Sequence, residues 1–143
     1  MEWLKAWLDP LVFSTLGLMS VVMVAFTLER WVFFRKVQLS DYSHIKRLEV
    51  ALSNHITPIY TIGSMAPYVG LLGTVIGILI TFHDMGQTNN ISASNIMVGL
   101  AMALKATALG LLVAIPAVMI TNQLQRRMDV LMALWQAEQD ERA

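Results

Sequence analysis

Between Thr61 and His83 the chain runs from Ile62 to Phe82 without one charged side chain. That is about 21 residues, the length an α-helix needs to cross a hydrocarbon core. On a helix, Gly63, Ala66, Gly70, Gly73, Thr74 and Gly77 fall on one side, spaced by three or four. Such a stripe lacks side-chain bulk, so a second helix backbone can approach closely. Val69, Leu72, Val75, Leu79 and Ile80 occupy the other side and suit lipid or apolar neighbours. One hydroxyl, that of Thr74, stays in the stripe. The segment is a membrane helix made to be packed against.

The rest of the 143 residues agrees with this class: 56% are hydrophobic and 14% charged, where a soluble domain carries about a quarter charged. Net charge is zero, which gives no basic surface for nucleic acid. The absence of cysteine removes disulfides, thiolate metal sites and cysteine nucleophiles. His44, His55 and His83 are scattered, without metal-ligand spacing. No Gly-rich phosphate loop, nucleophile with its base, or acidic pair within a span is present, so bond-making catalysis is not expected. No cofactor is called for.

Two further spans flank the first. Met1 to Pro10 reads as a short polar lead whose Trp3 and Trp7 suit the headgroup level. Glu2 and Asp9 flank Lys5, and no small-residue cleavage pattern follows, so the first apolar segment is expected to be retained. It covers residues 11–28, with Trp31 at the far interface and Glu29, Arg30, Arg35 and Lys36 marking the exit from lipid. Residues 29–61 form a connector. Within it Ser40-Asp41 suits a helix cap, and Tyr42, Ile45, Leu48 and Leu52 follow at helical spacing. Pro58 suggests a break before the second span, taken as 62–82. A polar turn is expected from His83 to Asn90, with Ser92 or Ser94 starting the third helix. That span, 98–121, has its own stripe: Ala103, Ala106, Thr107, Gly110, Ala114, Ala117 and Thr121. The two small faces are expected to pack together or on copies of themselves, with Pro116 breaking one backbone bond within the helix. The tail, 123–143, reads as a helical continuation with an apolar face of Met128, Leu131, Met132 and Trp135.

Basic residues set the expected orientation. Arg30, Arg35, Lys36, Lys46 and Arg47 lie between spans one and two, and Arg126, Arg127 and Arg142 follow span three. Between spans two and three there is none. By the positive-inside rule the N-terminus lies outside and the C-terminus inside.

Three polar side chains remain within the membrane: Thr74, Thr107 and Lys105. Thr74 lies ~12 Å and Thr107 ~13 Å from the outer ends of their helices at the helical rise. Two hydroxyls at one level, each on a small-residue face, can line a polar path. Alternatively each bonds its own helix carbonyl four residues back. Lys105 costs on the order of 2.5–3.5 kcal/mol on insertion scales, so it faces protein or water, or snorkels to the outer interface. No span of this chain holds an acid. A counter-charge for a buried Lys105 has to come from another chain.

At these residues the sequence resembles the ExbB/TolQ/MotA family of proton-channel subunits, its ExbB and TolQ branches most closely. The matching stretches are Ala66-Pro67-Tyr68-Val69-Gly70-Leu71-Leu72-Gly73-Thr74-Val75-Ile76-Gly77-Ile78 and Gly99-Leu100-Ala101-Met102-Ala103-Leu104-Lys105-Ala106-Thr107-Ala108-Leu109-Gly110-Leu111, continuing through Ala114 and Pro116 to Asn122. The resemblance implies an all-α, three-span subunit of the bacterial inner membrane, assembled as a homopentamer around a single-span, ExbD-like partner whose helix carries an aspartate. Proton flow through that assembly would energise a TonB-like transducer for uptake across the outer membrane. Thr74 and Thr107 match pore-lining positions of the family. Pro67, Gly70, Gly73, Gly77, Ala103, Ala106, Gly110, Ala114 and Pro116 are assigned to helix packing.

Two departures stand out. Many ExbB and TolQ chains carry a glutamate where Met102 stands and an apolar residue where Lys105 stands, so no glutamate role passes to Met102, and Lys105 can instead pair with the partner aspartate. The connector and tail are also shorter than in the longer ExbB chains, which argues against a torque-generating, MotA-like stator. A TolQ-like role in envelope maintenance and a non-conducting scaffold remain as alternatives.

Overall fold

The computed structural model describes residues 2–88 and 92–143, the side chains of Glu2 and Lys5 excepted. Four helices account for nearly all of it: α1 (Glu2–Lys36), α2 (Ile45–Ser53), α3 (Ile56–Thr88) and α4 (Ala93–Arg142). α1, α3 and α4 are each long and apolar enough to cross a membrane. At 1.5 Å per residue α4, with 50 residues, extends ~75 Å. Its last third therefore projects beyond any bilayer.

The helix ends differ from the sequence expectations at four places. The polar lead before Pro10 is already helical from Glu2, with Pro10 inside α1; Met1 is outside the described residues. Ser40-Asp41 does not cap α2. Those residues form a 3-10 turn (Leu39–Asp41), closed by the Tyr42 N–H on the Leu39 carbonyl, and the α2 cap is His44 without a side-chain bond. The break before α3 falls at His55, held in the left-handed region at φ 61°, and not at Pro58. Pro58 is the third residue of α3, in the first turn, where a helix N–H has no partner to lose. Residues 83–88 of the expected polar turn are helical, since α3 continues to Thr88 and the Thr88 hydroxyl bonds the Asp84 carbonyl. Asn89 and Asn90 lie outside the described residues. Ser92 caps α4, its hydroxyl accepting from the Asn95 N–H at 3.2 Å. Pro116 sits within a continuous α4 with an exposed ring.

α3 and α4 run antiparallel along their glycine–alanine stripes. A Cβ placed on Gly70 would stand 2.6 Å from the Ala106 carbonyl oxygen, and one on Gly110 2.7 Å from that of Ala66. No side chain fits there, so the two backbones touch. Farther along, Gly77 faces Ala103, and Gly99 faces Thr81. α1 closes the third side. Its Val12 and Leu16 pack with Ala66, Ala106 and Ala114. Ile80, expected among lipid-facing positions, is buried at the same end, whereas Leu72, Val75 and Leu79 are exposed.

The opposite end, where α2 lies, holds the larger core. Leu48 and Leu52 are fully enclosed beside Ile56, Ile59, Ala117, Leu124 and Trp135. Trp135 also donates its indole N–H to the Tyr42 carbonyl at 3.0 Å, tying the projecting part of α4 to the connector. Arg30 is 2% exposed there. Its guanidinium forks onto Glu29, donates to the Ala51 carbonyl and lies over the Phe33 ring. The His55 Nδ1 meets the same Glu29 carboxylate at 3.1 Å. This cluster fixes the α2–α3 turn against the end of α1.

Candidate functional site

The closest helix approach creates the site. With no side chain at Gly70, α4 comes near enough for the Thr74 and Thr107 hydroxyls to bond each other directly. Thr74 Oγ1 also lies 3.2 Å from the Gly70 carbonyl and 3.3 Å from that of Ala103. Thr107 Oγ1 is 3.3 Å from the Gly70 carbonyl. Thr74 therefore reaches both its own carbonyl four residues back and its partner across the seam. Thr74 is 9% exposed and Thr107 half-buried.

Each hydroxyl has one proton to give and room to accept. In one arrangement Thr74 donates to Thr107, and Thr107 donates to the Gly70 carbonyl. In the other Thr107 donates to Thr74, and Thr74 donates to the Ala103 carbonyl. Rotating two hydroxyls exchanges the two. The pair is thus a short hydrogen-bonded chain whose direction reverses without moving a heavy atom.

A crevice of about 390 Å³ leads towards it from the end where α3 meets α4. Asp9, Asp84 and Thr81 line it, together with Gly73, Ala103 and Ala106. Asp9, which the sequence placed in a polar lead, is brought into this crevice because α1 is helical through it.

Lys105 is elsewhere. Two residues on from Ala103, it is turned about 200° round α4 and is exposed on the face away from α3. Met102 is exposed too, and lines the edge of the crevice. Of the packing positions, Gly70, Gly73, Ala103, Ala106, Gly110 and Ala114 are buried, Pro67 and Gly77 half-buried, and Pro116 exposed. The Thr81–Gly99 contact was not in the sequence stripe. Gly99 lies four residues before Ala103, so extending the stripe by one turn finds it. The Arg30 cluster had no signal, because it depends on the turn at His55.

Comparison with known proteins gives the chain its relatives. Residues 35–137 match the MotA/TolQ/ExbB proton channel family. A biopolymer transport protein ExbB from Helicobacter pylori (strain J99) is 50% identical over 131 residues, 92% of this chain and 90% of that one. An ExbB from Aquifex aeolicus is 43% identical, over 96% of this chain and 93% of the relative. A Tol-Pal system protein TolQ from Pseudomonas aeruginosa is 38% identical over 68% of this chain and 42% of its own length. With the match over residues 35–137 and ExbB relatives aligned over most of their length, the chain belongs to the MotA/TolQ/ExbB proton channel family.

Proposed function

We propose that this integral membrane protein is an ExbB-type subunit of a proton-driven complex. With an ExbD-like single-span partner it uses the proton motive force to energise a TonB-like transducer for uptake across the outer membrane. The observation that carries the reading is the reversible Thr74–Thr107 hydroxyl chain, next in sequence to Gly73 and Ala106, which line a crevice at one end of the bundle. A hydroxyl pair passes a proton by accepting on one side and donating on the other, then resets by rotation. Near-complete alignment with ExbB relatives favours the ExbB role over the TolQ one. The TolQ match keeps envelope maintenance as the second reading, which complementation of each deletion background separates. The basic residues clustered at the α2 end support a cytoplasmic location for that end and a periplasmic one for the crevice mouth. A pentamer is expected from the resemblance.

The test compares Thr→Val with Thr→Ser at both positions, in proton uptake by liposomes holding the assembled complex. Serine keeps a hydroxyl and should keep flow. Valine keeps the shape and should reduce flow about tenfold or more, while the complex stays assembled. Equal flow in Thr74→Val, Thr107→Val and wild type would make the pair a packing device and favour a scaffold.

A further inference from the structure

We infer that copies of this chain are joined by an ion pair between Lys105 of one copy and Asp9 of the next, so that α4 of each lies against α1 of its neighbour. The pair names the contact between copies, and needs only that α1, α3 and α4 cross a membrane.

A single copy leaves both charges unpaired. Lys105 is exposed on the side of α4 turned away from α3, and Asp9, although it edges the crevice, is exposed on α1. Among the described residues neither takes part in an ion pair or a hydrogen bond.

Packing contacts put the two charges at one depth. A Cβ on Gly73 would stand 2.7 Å from the Ala106 Cβ and 3.3 Å from the Val12 methyl groups, so Val12 of α1 and Ala106 of α4 share a level. Met23 and Ala117, each eleven residues further along its helix, belong together to the core at the opposite end. The two helices therefore run in the same direction and in register. Asp9 lies three residues before Val12, or ~4.5 Å towards the crevice end, and Lys105 one residue before Ala106, or ~1.5 Å. Their Cα atoms differ by ~3 Å in depth, and both side chains lean towards the same end.

That depth is apolar. Asp9 is level with Ala103 and with Gly77, which Ala103 faces, six residues or ~9 Å inside the boundary at His83. Nine uncharged residues, Ile96 to Leu104, or ~13 Å of helix, separate Lys105 from Asn95. Charges at such depth face an opposite charge or water within protein.

Symmetry then selects the partner. In a closed assembly whose axis is normal to the bilayer, every residue keeps its depth from copy to copy, so only charges at a common level meet across an interface. Thr81 is level with Gly99, which puts Asp84 level with Ile96 and ~13 Å outward of Lys105. The acids Glu29, Asp41 and Glu49 and those from Asp129 onwards belong to the opposite end. Asp9 is the described acid at the level of Lys105. Setting α4 against α4 would bring two ammonium groups together, a repulsive contact. Setting α4 against α1 gives each copy one Lys105 for one neighbour and one Asp9 for the other, a head-to-tail contact that closes into a ring. Ala101 and Ala108 beside Lys105, and Ala6 beside Asp9, are exposed and small, so the two backbones can come near enough for the pair to form.

The test measures self-association of the full-length chain in phosphatidylcholine liposomes by energy transfer. Donor and acceptor dyes are carried on a cysteine introduced at Gln136; the native chain has none, so labelling is specific. Asp9→Lys and Lys105→Asp should each weaken association between like copies about tenfold, because each sets like charges together. Donor-labelled Asp9→Lys mixed with acceptor-labelled Lys105→Asp should associate within about threefold of wild type, as should the chain carrying both changes. The milder Asp9→Asn and Lys105→Met should each weaken association, and the two combined no further than either alone. Wild-type association in either charge reversal would overturn the inference. A combined Asp9→Asn and Lys105→Met loss equal to the product of the single losses would overturn it too, because the two side chains would then act separately. Self-association is read without proton flow, so a failure here leaves the conduction reading to its own test.

Discussion

Replacing Gly70 by alanine should open the α3–α4 seam at the hydroxyl pair. The added Cβ would meet the Ala106 carbonyl oxygen at 2.6 Å, the Thr107 Cα at 3.0 Å and the Gly110 Cα at 3.2 Å. All three are backbone atoms, so no side chain can rotate away. Ordinary contact begins at 3.4 Å, and α4 must therefore retreat by about 0.8 Å. The Thr107 hydroxyl lies 3.3 Å from the Gly70 carbonyl; lengthened by that amount it is beyond hydrogen-bonding range. Overpacking of this kind costs about 1–3 kcal/mol, or roughly 5- to 150-fold in an unfolding equilibrium at 1.4 kcal/mol per tenfold. Gly17→Ala is the control, because nothing lies within 4 Å of that Cβ, and its effect should stay within about 1 kcal/mol. Unfolding in mixed micelles, followed by circular dichroism, measures both. If Gly70→Ala is as stable as Gly17→Ala, the contact between backbones is not what holds the seam.

Two further outcomes follow from the geometry. Thr74→Val removes the hydroxyl from a seam it shares with Thr107, and the same unfolding assay should show a loss of about 0.6–1.7 kcal/mol, the range for interhelical bonds in membranes. Arg30→Met should cost about 1–3 kcal/mol by leaving the Ala51 carbonyl unpaired and taking the guanidinium from Glu29, the carboxylate that also holds His55. Glu29 is 42% exposed and regains water, which keeps the loss at that level; limited proteolysis should then cut near the freed turn at His55.

What could be read from the chain and what could not divide along a physical line. Helical periodicity is a local property, so the spans, the small faces from Gly63 to Gly77 and from Ala103 to Thr121, and the buried face of Leu48 and Leu52 were all legible. So was the shared depth of Thr74 and Thr107, since rise per residue is fixed. Boundaries were less legible where polar residues continue a helix. His83 to Thr88 look like a turn by composition, yet their backbone groups are satisfied by staying helical. Features that depend on how a turn or a leaning helix brings distant side chains together were not legible. Arg30 and Glu29 read as markers of the lipid boundary, because nothing local says that the left-handed turn at His55 will bring Ala51 and an imidazole onto them. Asp9 read as part of a lead, because its entry into a crevice depends on how α1 leans on α3 and α4.

The central claim is that proton flow requires this chain and a second, acid-bearing chain together. It is tested most directly by reconstituting the protein with and without the proposed ExbD-like partner, in liposomes under an imposed membrane potential, with a pH-sensitive dye inside. The account predicts uptake in the two-component liposomes and a baseline signal from either chain alone. Equal uptake by this chain alone, or none from the intact complex with the TonB-like transducer bound, would contradict it.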